Sequence, residues 1–542
     1  MITVPSRVYV PAAIAAAVLF GGQSARAQFF SNGDVVVSES IYSDLGQVAN
    51  LHVGDALPGG GTAVADGSSL NVFLNETPDA SFGVGSQITI QNLTSGNSLS
   101  LDPTKMVTSF PSKSEIGLNF SADGSTLTFM GYAPNSTSAS GVGQLDISNA
   151  NTPGHVDPTN PDTSPLTQRA VGAVSASGSL SVTGVNAYSG NNGRSAILAN
   201  NVNGTGANNI YMVGNAGNGS GTEPANIINN TGVQMIQQGA SGDTTVVGAL
   251  QGPPGVGSNK NGNQYGFSVT QLGYAADKSG KDDNFRGETI FNNTLYVTKG
   301  SGGNGIDTVY QVGTQGSLPT AATASTTAIN VLPGFNTTLA SAAITAQNAA
   351  TANFHPFGLF FANAFTLYVA DEGDGTLANA GTSMDPNAGL EKWSLVNGTW
   401  KLDYTLRSGL IGSTYNPSGM IIGGKQVTVT TDGLRSLAGK VNADGTVSLY
   451  AVTSTLDNAT GFDAGADPNE LVEKSDVLAN TTAAQAAGET FTVAEQAFAG
   501  QVFRGVAVDV VPAPEASTWG AGISAMSLAV MFTGFFRRNR KK

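Results

Sequence analysis

The stretch F-H-P-F-G-L-F-F-A-N-A-F-T-L-Y-V-A-D-E-G-D-G, from Phe354 to Gly375, contains the features that decide the predicted fold. An apolar run begins at 357–359, a short turn follows, and a second apolar run covers 367–369. Short runs rich in aromatic and β-branched residues, bounded by Gly, Asn or Asp, are typical of paired antiparallel strands. The stretch ends in three acidic residues, spaced by glycine, directly after the second predicted strand.

The same arrangement recurs along the chain as a loose internal repeat. The copies begin near Gly117, Arg194, Gly287, Gly358 and Gly419, and an incomplete copy begins near Gly505. Their spacing exceeds the roughly 40–50 residues that are usual for propeller blades, so we expect long insertions. Repeated four-stranded units predict an all-β fold, a β-propeller of six or seven blades. A β-sandwich or a β-helix array is the alternative.

The incomplete copy predicts how the ring closes. The segment 504–508 has no room for outer strands of its own before the C-terminal tail, so we expect N-terminal strands such as Asp34–Ser38 to complete its blade. A seventh blade could lie between Val213 and Arg286. Two helices are also expected: an Ala-rich one at 339–353, and a short one opened by Asp467, with Pro at its first position.

The composition restricts the classes of function. Only 11% of the 542 residues are charged and 70 are Gly, which suits short strands joined by tight turns. The net charge is −14, and it becomes −21 without 1–27 and 519–542, which hold seven basic residues and no acid. Such a surface argues against nucleic acid as a partner. The chain has no cysteine, which excludes disulfides and thiolate zinc sites.

Residues 1–27 have the three parts of a secretory signal peptide. Arg7 supplies positive charge, 12–20 is an apolar run, and Ala25-Arg26-Ala27 is a small-x-small cleavage site. The apolar run is too short to span a bilayer. We therefore expect signal peptidase to cut the exported chain before Gln28.

The other end of the chain, 511–542, has three successive parts. A polar stretch with Pro512, Pro514 and Glu515 comes first, then the uncharged stretch 519–536, then five basic residues. Eighteen uncharged residues are at the lower limit for a transmembrane helix. Because basic residues favour the cytoplasmic side, what precedes this helix should lie outside the membrane.

This order resembles the PEP-CTERM sorting signal, with its motif at Pro514-Glu515-Ala516. Ala516 stands where that family usually has Pro. The resemblance implies that an integral-membrane exosortase recognises and processes the tail, and that the protein reaches the surface or extracellular matrix of a Gram-negative bacterium. The alternative is a plain membrane anchor that is never cut. The segment between the two processed ends, 28–510, would be the propeller ectodomain.

Within that ectodomain, 354–358 and 367–375 resemble the blades of NHL-type and lactonase-like propellers. The acidic residues of this blade, Asp371, Glu372 and Asp374, are candidate metal ligands, because strands of a propeller end on common faces where carboxylates can converge. Ca²⁺ takes six to eight oxygen ligands, and Asp432 could join from the next blade. An ordinary solvated acidic turn is the alternative reading. Asp307 and Asp444 lie in similar turns.

His355 is a candidate metal ligand or general base, with packing or backbone hydrogen bonding as the alternative. The other two histidines, His52 and His155, are too scattered to predict a zinc triad. No G-x-S-x-G, H-E-x-x-H or P-loop motif occurs. Five aromatic residues fall in predicted strands, where they pack in a core or, if they face outward, stack on sugars: Tyr211, Tyr296, Tyr368, Trp393 and Trp400.

Two functions follow from these observations. The first is a non-enzymatic, surface-delivered propeller that binds an extracellular ligand such as a polysaccharide. The second is a secreted Ca²⁺-dependent propeller hydrolase of the lactonase, esterase or phytase type, in which the acidic cluster holds the ion and metal-bound water is the nucleophile.

Overall fold

The computed structural model describes residues 28–41, 64–66, 69–73, 87–109, 112–134, 147–160, 166–200, 208–217, 224–248, 282–342, 353–418, 421–422, 425–458 and 467–509. These segments are built almost entirely from antiparallel β-strands. The first thirteen strands are β1 (Val35–Ile41), β2 (Val64–Asp66), β3 (Ser69–Phe73), β4 (Gln87–Asn92), β5 (Asn97–Ser100), β6 (Asn119–Phe120), β7 (Thr126–Tyr132), β8 (Arg169–Ser175), β9 (Leu180–Val185), β10 (Gly193–Ala199), β11 (Asn209–Gly214), β12 (Gly232–Gln237) and β13 (Thr245–Val247).

The second half of the chain continues the pattern. Its strands are β14 (Glu288–Phe291), β15 (Thr294–Lys299), β16 (Thr308–Val312), β17 (Ile329–Val331), β18 (Pro356–Asn363), β19 (Thr366–Asp371), β20 (Gly389–Val396), β21 (Thr399–Leu406), β22 (Thr414–Tyr415), β23 (Ile421–Ile422), β24 (Lys425–Gln426), β25 (Val429–Val441), β26 (Thr446–Asp457), β27 (Glu470–Val477), β28 (Thr492–Gln496) and β29 (Gln501–Val508). A single helical turn, α1 (Ala225–Ile228), and a 3-10 turn (Ala324–Thr326) lie among the described segments.

Six sheets of the described chain have the strand order of propeller blades. Blades I to IV use four consecutive strands each: β6–β9, β10–β13, β14–β17 and β18–β21. Blade V consists of β25–β28, with the short β22 added beside β25. Blade VI consists of β29, β1, β4 and β5. The predicted all-β propeller is therefore confirmed.

Blade VI closes the ring by joining the two ends of the folded region. β1 pairs antiparallel with β29, in a register that places Val36 opposite Ala507 and Ser38 opposite Gly505. β4 pairs with the other edge of β1, and β5 pairs with β4. The last inner strand is thus completed by N-terminal strands, as the incomplete repeat predicts.

The first strands of successive blades contact one another all the way around the ring. Each blade has Gly or Ser at an equivalent position of its inner segment: Gly117, Ser195, Gly287, Gly358, Ser436 and Gly505. A Cβ atom at Gly358 would lie 2.5 Å from Arg435 O, and one at Gly505 would lie 2.5 Å from Ile116 O. Small residues at these positions allow the inner strands to meet, which is the physical reason for the repeat.

The hydrophobic core lies between neighbouring blades. One cluster combines Tyr211 and Val233 of blade II with Leu295 and Tyr310 of blade III, all buried. Because these two blades pack directly against each other, the described residues leave no seventh blade between blades II and III. The ring formed by the described residues has six blades.

Two local predictions were wrong. The sequence predicts a fifth repeat at Gly419, but the inner strand of blade V is β25, and its equivalent triplet is Arg435-Ser436-Leu437. Short strands β22 to β24 precede it. Asp467 does not open a helix, because 470–477 is strand β27, in which most alternate side chains enter the core. Tertiary packing therefore overrides the local helix-start signal.

Several other predictions concern segments that lie wholly or mostly outside the described residues. These segments are most of the helix expected at 339–353, the signal peptide at 1–27 and the sorting tail at 511–542. Among the residues that the structure does describe, no helix is both long and apolar enough to cross a membrane.

Candidate metal centre between blades IV and V

The end of β19 begins the candidate site. This strand ends at Asp371, and a long loop follows before β20 begins at Gly389. Gly373 and Gly375 adopt left-handed φ angles of +79° and +72°, which L-residues rarely adopt. The chain can therefore turn sharply here, and the backbone N–H of Asp374 reaches a carboxylate further along the same loop.

Three carboxylates form a cluster at this point. Side-chain oxygens of Asp374, Asp385 and Asp432 lie within 4.8 Å of one another. Asp432 belongs to β25, so the cluster joins blade IV to blade V. Backbone amides position two of these groups: Gly375 N–H donates to Asp432 Oδ2 (2.8 Å), and Asp374 N–H donates to Asp385 Oδ2 (3.2 Å).

Side-chain amides of two asparagines also contact the cluster. Asn379 Nδ2 donates to Asp374 Oδ2 over 2.6 Å. Asn353 Nδ2 donates to Met384 O over 2.8 Å and lies 3.4 Å from one oxygen each of Asp374 and Asp385. The carboxylates are therefore held in place by uncharged donors. Among the described residues no Lys or Arg side chain pairs with the cluster, although the nearby His355 acts to lower the pKa of Asp385 against the effect of burial.

Burial makes the ionised form of these neighbouring carboxylates unfavourable unless a positive charge or a proton neutralises them. Asp385 and Asp432 are buried, and Asp432 Oδ1 has no hydrogen-bond partner. Burial, reinforced by Asp385, raises the pKa of Asp432 well above its usual value. Burial and the neighbouring Asp371 raise the pKa of Asp385 to about 7. A divalent cation would give Asp432 Oδ1 a partner and would neutralise the repulsion between the carboxylates.

The donor set fits a hard cation. It consists of three carboxylates, the ligand type that Ca²⁺ prefers. A Cβ atom at Gly373 would lie 2.4 Å from Asp432 Oδ2 and 3.1 Å from Asp385 Oδ2. Gly373 thus leaves the carboxylates the space they occupy. Asp374, Asp385 and Asp432 are the residues that would hold the ion.

The structure places the three predicted acidic residues in three different environments. Asp374 lies in the cluster. Asp371 lies beside it and accepts from the backbone N–H of His355 (2.6 Å) and of Gly373 (2.9 Å), while burial raises its pKa to about 6. Glu372 points away and accepts from Arg435 Nε over 3.1 Å. Burial opposes ionisation of Glu372, but Arg286 and Arg435 lower its pKa overall.

His355 is held by hydrogen bonds on both ring nitrogens. Nδ1 lies 2.9 Å from Gly300 O, and Nε2 lies 2.7 Å from Asn353 Oδ1. The amide orientation of Asn353 is set by its donation to a carbonyl, so both contacts of the ring are with acceptors. Burial opposes the charged ring, but Asp371 and Asp307 raise the pKa of His355. The ring therefore acts as a double donor, and neither nitrogen is available to a metal or as a base.

The remaining candidates have structural roles. Asp307 pairs with Lys299 inside blade III, and Asp444 accepts from Thr446 N (3.0 Å) in an exposed turn. The five aromatic residues proposed for packing or sugar stacking are all buried: Tyr211, Tyr296, Tyr368, Trp393 and Trp400. They belong to the core.

Asp385 is the member of the acidic cluster that sequence reasoning missed. It lies in S-M-D-P-N, inside an irregular loop with no strand to fix its direction. The available signal was that Asp385 is the single acidic residue in the insertion that follows A-D-E-G-D-G. The signal-peptide residues Ala25 and Ala27 and the sorting motif Pro512, Pro514, Glu515 and Ala516 lie outside the described residues, which begin at Gln28.

Comparisons with known proteins add no assignment. No protein-family model matches the chain, and no curated protein matches it. Among solved structures, the acylaminoacyl peptidase of Pyrococcus horikoshii is 6% identical with a TM-score of 0.25, over 68% of this chain and 47% of that one. The chain thus spans about half the length of that relative.

Two further structures are similar at the same low level. The GH74 enzyme of Niastella koreensis is 11% identical, with a TM-score of 0.23, over 76% of this chain and 71% of that one. A PL25 ulvan lyase, a polysaccharide lyase, is 10% identical, with a TM-score of 0.28, over 77% and 88%. Scores this low carry no argument about activity.

Proposed function

We propose that this chain is an exported β-propeller that acts as a non-enzymatic binding or structural module at the cell surface or in the extracellular matrix of a Gram-negative bacterium. Its ring is held at the junction of blades IV and V by a divalent cation, Ca²⁺. Its partner is an extracellular ligand, for which a matrix polysaccharide is our candidate. The comparisons with other proteins play no part in this proposal.

The observation that supports a structural cation is the position of the acidic cluster. Its ligands come from two blades, and two of the three, Asp385 and Asp432, are buried. A buried ion bound by both blades would stabilise the native state, because a ligand that binds only the native state favours it over the unfolded chain. Such a link is valuable in a chain without cysteine, where no disulfide can serve.

Export is proposed from the two ends of the chain. The signal-peptide pattern ending at Ala27 and the tail from Pro512 to the basic C-terminus support processing by signal peptidase and then by an exosortase. The closure of the ring by pairing of β1 with β29 is compatible with this route, since both ends of the folded region lie in blade VI. A membrane-held tail would therefore leave the ring intact.

Calcium titration of the purified full-length protein tests the proposed cation. We expect saturable, stoichiometric binding by calorimetry in the unchanged protein and none in the double variant Asp385→Asn with Asp432→Asn. Asp444→Asn is the matched control, because it removes a similar charge from an exposed turn. Equal calcium binding by the control and the double variant would refute the site.

A hydrolase is the second candidate, and one observation favours it. Asp374 is partly exposed, so one side of the cluster faces solvent, as a metal-bound water nucleophile requires. Calcium-dependent turnover of a lactone, a p-nitrophenyl ester or phytate, lost in Asp374→Asn, would replace the non-enzymatic proposal. Absence of turnover with all three, in protein shown to bind calcium, would support the binding module.

A further inference from the structure

The repeat places arginine on the inner strands. The residue that precedes the small position of each inner segment is Arg in four of the six blades: Arg194, Arg286, Arg435 and Arg504. Ile116 and Phe357 take this position in blades I and IV. Because the inner strands meet around one axis, equivalent side chains of different blades converge.

The contacts of Ser114 show this convergence directly. Its hydroxyl oxygen lies 3.0 Å from Arg194 Nη1 and 3.0 Å from Arg286 Nη1. The two guanidinium groups come from different blades, yet they lie within two hydrogen-bond lengths of each other. The adjacent Lys113 interacts electrostatically with both Arg286 and Arg435. Together with Arg504, these side chains form what we call the basic site: Lys113, Arg194, Arg286, Arg435 and Arg504.

The described carboxylates around the basic site do not balance its positive charge. Glu372 accepts from Arg435 (3.1 Å). Glu115 accepts from Thr108 Oγ1 (2.6 Å), Ser109 N (2.8 Å) and the hydroxyl of Tyr132, and it also interacts electrostatically with Arg194 and Arg504. Asp467 lies within electrostatic reach of Lys113. Asp307 also interacts electrostatically with Arg286, but it pairs with Lys299. Four named carboxylates therefore lie near the five cations of the basic site, which keeps an excess of positive charge.

Two arginine nitrogens point to a missing acceptor. Nε of Arg194 and Nε of Arg286 are buried and have no hydrogen-bond partner. Arg194 is only 4% exposed, so water from bulk solvent does not solvate it. A buried guanidinium donor without an acceptor is unfavourable, because its desolvation is not compensated by a hydrogen bond. An oxygen-rich anion would accept from such nitrogens, since planar guanidinium groups match carboxylate, sulfate and phosphate oxygens.

Two members of the basic site keep some exposure to solvent. Arg286 and Lys113 are partly exposed, whereas Arg194, Arg435 and Arg504 are buried. The exposed pair would form the entrance and the buried arginines the floor. Five of the 17 basic residues between 28 and 518 thus gather in one place on an otherwise acidic protein. A local positive field of this kind attracts a small anion that the remaining surface repels.

We infer that the basic site binds an oxyanion, a carboxylate, sulfate or phosphate group, which accepts hydrogen bonds from Arg194 and Arg286 and pairs with Lys113 at the entrance. The site lies in the ring's centre and uses residues distinct from the three proposed calcium ligands. It goes beyond the proposed function, because it does not require calcium or the sorting tail.

The test is calorimetric titration of the full-length protein with sodium sulfate, sodium phosphate and sodium glucuronate, each at constant ionic strength maintained with chloride. We expect saturable binding of at least one anion, and the strongest of the three identifies the group that the site prefers. Lys113→Gln should weaken it about tenfold, which corresponds to one lost charged hydrogen bond of about 1.4 kcal/mol. Lys401→Gln, a loss of the same charge on the exposed face of β21, should leave it unchanged.

A second measurement covers variants that fold poorly. The thermal midpoint of the unchanged protein should be higher in the preferred anion than in chloride, because a ligand bound by the native state stabilises that state. The midpoint of Lys401→Gln should rise by the same amount. Sulfate also stabilises proteins without binding, so only a rise larger than that in Arg286→Gln counts as support. No saturable binding of any of the three anions, or equal affinities for Lys113→Gln and Lys401→Gln, would overturn the inference.

Discussion

Lys392 Nζ lies 2.7 Å from Asp476 Oδ2, and both side chains are buried where blade IV packs on blade V. Asp476 also accepts from the hydroxyls of Tyr368 and Tyr404, and the Lys392 ammonium donates to Val477 O over 2.9 Å. The pair is thus fully hydrogen-bonded inside the protein. Together with the acidic cluster, this pair concentrates charged groups at the junction of blades IV and V.

The first prediction concerns this pair. Lys392→Met leaves Asp476 buried without its cation, so we expect a loss of about 3–5 kcal/mol in the free energy of unfolding. Chemical denaturation measures the loss. Lys401→Met is the matched control, because Lys401 lies exposed on the neighbouring strand β21 and should change stability by less than about 0.5 kcal/mol. Similar losses in both variants would contradict a special role for the buried pair.

The second prediction concerns the backbone of the candidate metal centre. Gly373→Ala puts a Cβ atom 2.4 Å from Asp432 Oδ2 at a φ of +79°, so we expect both reduced stability and at least tenfold weaker calcium binding. Gly375→Ala has a similar φ of +72° but meets nothing within 4 Å. It should lose about 1 kcal/mol of stability from the backbone alone and keep its calcium affinity. Calcium binding that is equal in the two variants would show that Gly373 does not border the ion.

The third prediction concerns the closure of the ring. Gly505→Ala would bring a Cβ atom within 2.5 Å of Ile116 O and of Leu118 N, both backbone atoms of blade I that cannot move independently. We expect a large loss of thermal stability, and limited proteolysis should release N-terminal fragments. Gly488→Ala, where no atom lies within 4 Å, should be neutral or slightly stabilising. A normal melting temperature for Gly505→Ala would mean that the inner strands tolerate wider spacing.

The fourth prediction concerns pH. The raised pKa values of Asp371, about 6, and Asp385, about 7, mean that the calcium-free native state binds more protons than the unfolded chain between about pH 4 and 7. The contribution of these groups therefore destabilises the calcium-free protein progressively as pH rises through that window. Calcium competes with these protons, so its affinity should increase with pH.

The measurement is the thermal midpoint with calcium minus that with EDTA, at pH 5 and at pH 8. We expect a clearly larger difference at pH 8 in the unchanged protein and no difference at either pH in Asp385→Asn. Taking the difference at each pH removes the effect of all other titrating groups. A calcium effect that is larger at pH 5 would contradict the proposed ligands.

The fifth prediction concerns sorting. If the tail is an exosortase signal, Glu515→Ala and a deletion of the five basic residues from Arg537 should each reduce surface delivery in the producing bacterium, with the protein retained in the membrane fraction. Glu495→Ala removes a charge from the folded region and is the control. Unchanged delivery of both tail variants would leave a plain anchor as the better account of 511–542.

Sequence reasoning predicted the ring because the relevant signal is repeated. Gly287, Gly358 and Gly505 each stand beside an apolar run, since a side chain there would collide with the next blade. The fifth copy was harder to place. Blade V uses Ser436, and the glycine at position 419 lies in an insertion that resembles a blade start only in composition.

The candidate sites show the limit of such reasoning. Asp371, Glu372 and Asp374 are consecutive or nearly so, yet a strand end and a tight turn send their carboxylates in different directions. Only Asp374 joins the cluster, while Glu372 meets Arg435 from another blade. Asp385 was missed because its loop has no periodicity from which a direction can be predicted.

The linear sequence by itself determined the class of fold, the strand that closes the ring and the expected route of export, because each depends on local composition or on a pattern repeated along the chain. The tertiary structure alone decided which charged groups meet. Carboxylates of blades IV and V and arginines of blades II and III become neighbours only when the ring closes. The distances between these groups depend on loop conformation and blade packing, and the spacing of the residues along the chain does not fix either.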